Sequence, residues 1–302
     1  MNILVTGGAG FIGSHIADKL IEKSEDVTII DNLSNGNLKN VNKKARFIKK
    51  DINNIAAGDL KNIETVFHLA ADPEVRISAD NPESSFKNNV TATFRLLEAC
   101  RQADIKQLVF TSTSTVYGDA IVPTPEGCPC EPISNYGASK LACEGYCASY
   151  AHSYGIKTTV LRYANIFGER SNHGVMYDFF QKLKKNEKEL EILGNGKQEK
   201  SYLHVSDCVN ATLLASEKQN KIYDVFNVGS DDKYNVDYVA KLVCKLLKVN
   251  PKFRYTGTER GWVGDVKIMQ LSVNKLKKLG WKQKISFEEG VKKYINWLKA
   301  QG

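Results

Sequence analysis

The first thirteen residues constrain this chain more than any other segment. The apolar run Ile3–Val5 predicts a buried parallel strand, and a helical pattern begins just after Gly13. Gly7 and Gly10 lie between the two, where the backbone amides of a helix N-terminus can hold a pyrophosphate. The segment therefore predicts a dinucleotide-binding loop, in a G-x-x-G-x-x-G form that differs from the commoner G-x-G-x-x-G.

A carboxylate stands where the second predicted strand ends. Val27–Ile30 forms that strand, and Asp31 follows it directly. A carboxylate at this place accepts hydrogen bonds from both hydroxyls of an adenosine ribose and repels a 2′-phosphate. The strand, the glycine loop, the helix and the acidic residue together favour NAD over NADP as the cofactor. A glycine-rich turn that only packs the helix on the strand would explain fewer of these features.

Composition excludes several classes of protein. No apolar run in the 302 residues approaches the ~18 residues of a membrane span, and we expect no signal peptide, since the N-terminus enters a strand directly. The net charge is +8, and most of the clustered lysines lie on predicted amphipathic helices, without the aromatic or motif support of a nucleic-acid surface. The seven scattered cysteines lack zinc-like spacing. We therefore expect free thiols in a cytoplasmic protein, with no metal, nucleic acid or membrane partner.

Strand and helix patterns alternate from the start of the chain. This rhythm predicts an α/β fold with a Rossmann-type, doubly wound parallel sheet. The predicted strands are Ile3–Val5, Val27–Ile30, Ala45–Ile48, Thr65–Leu69, Leu108–Thr111 and Thr158–Arg162, and the predicted helices between them are Ser14–Glu22, Ser84–Ala103 and Tyr136–Tyr154.

The rhythm changes after Arg162, which indicates a second lobe. We expect residues 1–164, with a return over about 202–227, to form the dinucleotide-binding domain. Residues 165–201 and 228–302 would form a smaller C-terminal α/β substrate lobe. Because ligands of open α/β sheets bind at the carboxyl ends of the strands, the cleft between the lobes should hold the chemistry.

Tyr136 and Lys140 are spaced i and i+4 on a predicted helix, which puts phenol and ammonium on one face. A phenol is a weak base because its ordinary pKa is about 10, and a nearby ammonium and a cationic nicotinamide both favour the phenolate. Tyr136 could then exchange a proton with a sugar hydroxyl while hydride moves at the attached carbon. The hydroxyl run Thr111–Thr115, at a strand end, could hydrogen-bond the reacting oxygen.

Together, these motifs resemble the extended short-chain dehydrogenase/reductase family over residues 1 to about 290. The resemblance rests on the glycine loop, Asp31, His68–Ala71, Asn88–Val90, Thr113–Gly118, Tyr136 with Lys140, Leu161–Gly168, Gly194–Gln198 and Tyr202–Asp207. It points to the nucleotide-sugar branch, and within it to the group of UDP-glucose 4-epimerases, especially archaeal-type members. The implied cofactor is NAD, and the implied substrate is a UDP-sugar.

The resemblance also implies a role for each matching position. The catalytic residues would be Thr113, Tyr136 and Lys140. The cofactor would be bound by Gly7, Gly10, Phe11, Ile12, Gly13, Asp31, Asn32, Ser34, Asp51, Ile52, Leu69, Ala70, Ala71, Asn88, Thr111, Tyr136, Lys140 and Tyr163. The substrate would be bound by Arg76, Thr113, Tyr136, Asn165, Val175, Leu193, Lys200, Tyr202, Arg260 and Asp265. A homodimer through a four-helix interface of residues 84–103 and 136–154 is implied as well.

Three chemistries share the scaffold that the chain resembles. Ser114 and Thr115 stand where dehydratases have Asp-Glu, and Thr115 stands where UDP-glucuronate decarboxylases have glutamate. The resemblance therefore implies redox-neutral 4-epimerisation through a transient 4-keto sugar, with UDP-glucose and UDP-galactose as the favoured pair. UDP-glucuronate stays open because Arg76 or Arg170 could meet a C6 carboxylate. UDP-N-acetylglucosamine, a reductase that releases NADH and a non-catalytic NAD-binding regulator also stay open.

Overall fold

A seven-stranded parallel sheet organises the computed structural model, which describes residues 1–75, 78–257 and 266–301. The strands are β1 (Asn2–Thr6), β2 (Asp26–Asp31), β3 (Arg46–Lys49), β4 (Thr65–His68), β5 (Gln107–Thr113), β6 (Lys157–Tyr163) and β11 (Tyr223–Val228). Their order across the sheet is β11-β6-β5-β4-β1-β2-β3. All six predicted strands are present within one or two residues, which confirms the doubly wound α/β fold, and β11 adds a seventh strand beside β6.

Helices cover both faces of this sheet because its strands are apolar on both sides. The helices are α1 (Phe11–Glu22), α2 (Pro82–Ser85), α3 (Ala92–Gln102), α4 (Asn135–Tyr154), α5 (Val175–Lys185), α6 (Val205–Lys218), α7 (Val236–Leu247), α8 (Asn274–Lys278) and α9 (Phe287–Gln301). On β1, Ile3 and Val5 pack towards α1 and α6, whereas Leu4 packs towards α3 and α4.

The predicted helix Ser84–Ala103 is interrupted, so this prediction was wrong in detail. A widened π-helical turn, Phe86–Thr91, separates α2 from α3. Asn89 is buried in that turn, where its side chain accepts a hydrogen bond from the Asp72 main chain at 2.8 Å and donates one to the Ser139 hydroxyl at 2.9 Å. The turn thus fastens the segment after β4 to α4. The spacing of apolar residues does not predict this π-helical turn, because polar contacts hold the extra residue that widens it.

A second core lies in the C-terminal part of the chain. Helices α5, α7 and α9 enclose it, around Phe179, Val243 and Tyr294. Short strands border it: β7 (Asn165–Phe167) pairs with β10 (Tyr202–His204), β8 (Glu189–Ile192) pairs with β13 (Lys252–Tyr255), and β9 (Glu199–Lys200) lies between β12 (Tyr234–Asn235) and β14 (Ile268–Met269). Val273 and Trp281 instead join the core of the large sheet. The two-lobe division stays a proposal, in which the segment around α8 packs with the larger lobe.

Three further observations concern partners. No helix among the described residues is long and apolar enough to cross a bilayer. Within the same residues, no group of three or more His, Cys, Asp or Glu side chains is arranged to hold a metal ion. All seven cysteines are free thiols, and Cys100, Cys143, Cys147 and Cys208 are fully buried.

Candidate active site

A cleft of about 890 Å³ opens at the carboxyl ends of the sheet strands, between the sheet and the second core. Its wall contains every residue of the predicted cofactor, catalytic and substrate sets that the structure describes. Three predicted substrate residues, Arg76, Arg260 and Asp265, lie outside the described residues. The cleft thus joins, in one cavity, residues that are far apart in the chain, such as Gly7 and Tyr202.

The glycine loop forms one end of the cleft by close main-chain contacts. Gly7 has a φ of +69°, and a Cβ there would lie 2.7 Å from the main-chain nitrogen of Ala70. At Gly13, in the first turn of α1, a Cβ would overlap the carbonyl oxygen of Gly7. Helix α1 begins after Gly10 without a capping side chain. Its first N–H groups are therefore available to an anion, as a pyrophosphate site requires.

Asp31 ends β2 at the same end of the cleft and is almost fully buried. One of its oxygens accepts a hydrogen bond from Ala9 N–H at 3.0 Å, and the other accepts one from Leu33 N–H at 2.8 Å. Asn32 donates to Asp51 at 2.9 Å. Burial works to raise the pKa of Asp51, but hydrogen bonds from Asn53 and Asn32 hold it below its ordinary value. Asp31 and Asp51 therefore flank the predicted adenosine position.

His68 supports the segment Leu69–Ala71 from beneath. Its Nδ1 lies 2.7 Å from the Thr6 hydroxyl, and the hydroxyl oxygen accepts hydrogen bonds from the N–H groups of Leu69 and Ala70, both at 3.2 Å. Burial, together with the charge of Lys140, lowers the pKa of His68 to about 3. The imidazole is thus neutral, and it acts as a rigid link between β1 and β4.

Tyr136 and Lys140 lie in the first turns of α4, and Thr113 ends β5 opposite them. Burial raises the pKa of Tyr136 to about 12, and a hydrogen bond with Thr113 acts in the opposite direction. Burial also lowers the pKa of Lys140, whose ammonium lies 4.3 Å from the ring centroid of Phe110. In the chain by itself, burial outweighs the hydrogen bond with Thr113, so the pKa of Tyr136 lies above its ordinary value, and the expected effect of Lys140 together with a nicotinamide stays a prediction.

A buried ion pair supports the strand ends behind these residues. Arg162 on β6 donates two hydrogen bonds to Glu144 on α4, at 3.0 and 2.6 Å, and the two side chains are only 7% and 3% exposed. Ser112 donates to the same carboxylate at 2.5 Å, and Arg162 also donates to the Tyr117 hydroxyl at 2.7 Å. Each charged group is thus paired, as buried charges must be. The network fixes β5 and β6 relative to α4.

The opposite end of the cleft is formed by the second core. Val175 begins α5, and Leu193, Lys200 and Tyr202 follow along the wall. The Asn165 side chain donates to the main chain of Ser201 at 3.2 Å, and the ammonium of Lys200 donates to the carbonyl of Val266. Tyr163 also lines the cleft, but its hydroxyl pairs with Thr212 at 2.7 Å.

Arg170 does not reach the cleft, contrary to one of the open expectations. Its guanidinium forms an ion pair with Asp18 on α1 at 2.7 Å. The segment that follows Ala71 instead brings two carboxylates, Asp72 and Glu74, to the cleft wall. Asp72 accepts a hydrogen bond from the Ser84 hydroxyl at 2.6 Å. Sequence spacing missed these acids, because neither forms a motif.

The chain matches one family model. Residues 3–229 match the model described as the NAD dependent epimerase/dehydratase family. A relative in Methanocaldococcus jannaschii, described as a putative UDP-glucose 4-epimerase, is 38% identical over 98% of both chains.

Solved structures are similar over the whole chain. A UDP-galactose 4-epimerase is 45% identical, with a TM-score of 0.92, and the alignment covers 100% of this chain and 99% of the other. The Thermotoga maritima UDP-glucose 4-epimerase with UDP-glucose is 38% identical, with the same TM-score and the same coverage.

Other similar structures are enzymes for different UDP-sugars. The Bacillus cereus UDP-glucuronic acid 4-epimerase, solved with UDP-glucuronic acid and NAD, is 28% identical, with a TM-score of 0.93 and full coverage of both chains. The Methanobrevibacter ruminantium UDP-N-acetylglucosamine 4-epimerase is 32% identical, with a TM-score of 0.92, and covers 100% of this chain and 99% of its own. Overall likeness therefore leaves the sugar undetermined.

Proposed function

The chain belongs to the NAD-dependent epimerase/dehydratase family, and from that premise we propose that it interconverts UDP-glucose and UDP-galactose by 4-epimerisation. The observation that carries this proposal is the joint placement of Thr113, Tyr136 and Lys140 in one cleft with the glycine loop. The names of similar proteins, which are UDP-sugar 4-epimerases, support it.

The glycine-loop end of the cleft fits NAD. Gly7 and Gly13 leave no room for a side chain, and the uncapped N-terminus of α1 offers N–H groups to a pyrophosphate. Asp31 would hold the adenosine ribose, with Asp51 near the adenine, and Lys140 would hold the nicotinamide ribose. When bound, NAD supplies the hydride acceptor, the hydride donor and a positively charged ring.

Tyr136 and Thr113 supply the proton chemistry. In our proposal, the phenolate of Tyr136 takes the proton from the sugar O4 as C4 becomes a ketone, and gives it back after the sugar has turned. The Thr113 hydroxyl, which hydrogen-bonds the phenol, keeps Tyr136 aimed at this oxygen. Because burial holds the phenol protonated in the chain alone, a positive charge bound nearby is needed to form the base.

The charge of the cleft wall favours a neutral sugar. Asp72 and Glu74 line the cleft, and Asp72 is close enough to Tyr136 to act on its pKa, whereas Arg170 is paired with Asp18 outside the cleft. A C6 carboxylate, as in a uronate, would be repelled by these acids, whereas a hydroxymethyl group would not. The two acids and the pairing of Arg170 are the reason for preferring UDP-glucose to UDP-glucuronate, and Arg76, the other candidate for a C6 carboxylate, lies outside the described residues. Lys200 would contribute a point charge to the diphosphate.

We also propose that the protein is a cytoplasmic homodimer. Helices α3 and α4 pack side by side and present an aromatic cluster, in which Phe94 contacts Tyr146 at 5.7 Å between ring centroids. Tyr146 and Tyr154 on α4 are 43% and 53% exposed. Pairing these helices with a second copy would bury the cluster, and sedimentation at several protein concentrations would detect the dimer.

Proton NMR of the purified protein tests the reaction. The protein is incubated separately with UDP-glucose, UDP-glucuronate and UDP-N-acetylglucosamine, without added reductant. We expect an anomeric signal of UDP-galactose in the first sample, formed faster than any product in the other two. Faster turnover of UDP-glucuronate or UDP-N-acetylglucosamine would reassign the sugar, and no product in any sample would contradict the enzyme assignment.

A further inference from the structure

We propose that residues 168–174, which we call the strap, close over the pyrophosphate end of the cleft and slow both the entry and the release of NAD. The strap joins β7 to α5. The redox-neutral reaction proposed above returns NAD to its starting oxidation state in every cycle, so the cofactor need not leave between turnovers. The inference rests on the proposed function in this respect, and it holds for any UDP-sugar.

The tip of the strap lies at the cleft, next to the glycine loop. Asn172, His173 and Gly174 line the cleft wall, as do Gly10 and Phe11 at the start of α1. The ring of His173 contacts the ring of Phe11, with 6.1 Å between the centroids and an angle of 79° between the planes. Because the first N–H groups of α1 are the proposed pyrophosphate site, the tip lies beside the path of NAD into and out of the cleft.

Two contacts anchor the strap to α1, and the residues that make them do not line the cleft. The guanidinium of Arg170 pairs with Asp18 at 2.7 Å, and the two side chains are 27% and 25% exposed. About one turn earlier on α1, His15 Nε2 donates to the main-chain carbonyl of Glu169 at 2.9 Å. Residues 15 and 18 share one face of the helix, so both contacts hold the strap against the helix that carries the pyrophosphate site.

More deeply buried contacts hold the strap to α6 and α9. The carboxylate of Glu169 lies 3.2 Å from Nε2 of His204 at the start of α6, and the Tyr294 hydroxyl on α9 donates to the carbonyl of Ser171 at 2.8 Å. His204 and Tyr294 are almost fully buried, whereas the ion pair with α1 is partly exposed to water. Because water weakens an exposed ion pair, the contacts with α1 should break first, while α6 and α9 still hold the strap.

The backbone of the strap permits this movement. Glycines stand at both of its ends, and Gly168 and Gly174 have φ angles of +143° and +92°. Arg170 is also left-handed, with a φ of +68°, a conformation that is unfavourable for a side chain other than glycine. The ion pair with Asp18 opposes this strain. Opening of the strap would relieve the strain once the ion pair is broken.

Exchange of bound NAD against an excess of deuterium-labelled NAD, followed by mass spectrometry, tests the strap without requiring turnover. In Arg170→Asn, which removes the guanidinium but suits a left-handed backbone, we expect release about two- to fivefold faster than from the unmutated protein. The Kd for NAD, measured by calorimetry, should stay the same. A barrier that NAD crosses in both directions slows entry and release alike, so lowering it changes both rates by one factor.

Arg254→Asn is the matched control. Arg254 also forms ion pairs, with Glu189 and Glu191, and none of these three residues lines the cleft. This substitution should leave the release rate unchanged. High salt provides a second measurement, because it screens a partly exposed ion pair. Salt should speed release from the unmutated protein more than from Arg170→Asn.

The possible results separate the strap from the function it rests on. Release from Arg170→Asn at the unmutated rate would overturn the proposal. Faster release with a Kd raised by the same factor would overturn it too, because the substitution would then weaken the NAD site without opening a path to it. A release rate that does not rise with salt in the unmutated protein would contradict the ionic anchor, and this result needs no variant to fold. No UDP-sugar is present in these measurements, so the proposed reaction fails only in the NMR experiment above.

Discussion

In the dinucleotide half of the cleft, the close backbone contacts at Gly7 and Gly13, and the main-chain hydrogen bonds that both oxygens of Asp31 accept, set the geometry before a ligand binds. The substrate half is less complete without a ligand. The phenol of Tyr136 is held protonated, and the amide oxygen of Gln198 has no hydrogen-bond partner among the described residues. The dinucleotide half is thus a template for NAD, because its backbone geometry is set before the cofactor binds, whereas the substrate half reaches its active state only with its ligands. Substitutions should therefore separate binding of NAD from turnover.

The largest expected effect is on turnover. Tyr136→Phe should lower kcat about 100- to 10,000-fold, because it removes the proton acceptor and donor, while the bound NAD content stays unchanged. Turnover by NMR and NAD released on denaturation are the two measurements. Tyr150→Phe is the matched control on the same helix, since the Tyr150 hydroxyl donates to Glu98 away from the cleft. If Tyr136→Phe lost bound NAD to the same extent as turnover, the distinction between the two halves of the cleft would be contradicted.

A second substitution tests the buried support of the strand ends. Glu144→Gln should cost about 3–5 kcal/mol of unfolding free energy, because it leaves the Arg162 charge buried without its partner. Glu98→Gln, which breaks the more exposed pair with Arg101, should cost about 1 kcal/mol or less. Urea unfolding of both variants measures the difference, and similar costs would show that the Glu144 pair is not a structural support.

Gly13→Ala probes the template directly. The added methyl group overlaps the Gly7 carbonyl, so the loop must move, and the Kd for NAD should rise about tenfold or more. Gly145→Ala, at a helical position in α4 where a Cβ meets nothing within 4 Å, should leave the Kd unchanged and stabilise the protein by up to about 1 kcal/mol. Unchanged NAD affinity in Gly13→Ala, measured by calorimetry, would contradict the claim that the backbone geometry of the glycine loop determines NAD binding.

The smallest expected effect lies outside the cleft lining, at Glu169, which contacts His15 of α1 and His204 at the start of α6. Contact with the buried His204, 3.2 Å away, lowers the pKa of Glu169 to about 2 from an ordinary 4.5. A depressed folded-state pKa adds stability above pH about 4.5, and this stability is lost as the pH falls towards 2. Glu169→Gln should therefore cost about 1–2 kcal/mol at pH 7 and flatten the loss of stability in acid. If the stability of Glu169→Gln falls in acid as steeply as that of the unmutated protein, the contact with His204 adds no stability to the fold.

The two halves also differ in how far the sequence predicts them. The glycine loop, Asp31 and the Tyr136–Lys140 pair follow from local spacing along one strand or helix, and the structure places all of them in one cleft. The roles assigned to individual residues remain predictions. The π-helical turn and its Asn89 contacts do not follow, because they depend on Asp72 and Ser139, which lie on other segments of the chain.

Charged side chains show the same limit. Arg170 is a reasonable candidate for a C6 carboxylate in sequence, but its partner is Asp18, near the start of the chain, and only the folded chain brings them together. Gln198 lies inside the motif Gly194–Gln198, yet only the folded chain shows that its amide donates to the Leu193 carbonyl and that its amide oxygen has no partner in the part of the chain that the structure describes. Spacing predicts which elements meet, whereas the state of a buried polar group depends on tertiary contacts.

The most direct test of the account follows the hydrogen at C4. UDP-glucose that carries deuterium at C4 is incubated in ordinary water with the NAD-loaded protein, and the UDP-galactose formed is analysed by mass spectrometry and NMR. A redox-neutral epimerisation, in which Tyr136 moves only the O4 proton, predicts that the product keeps the deuterium at C4. Loss of the label to solvent would show that the proton is taken from carbon, and would contradict the mechanism proposed for this cleft.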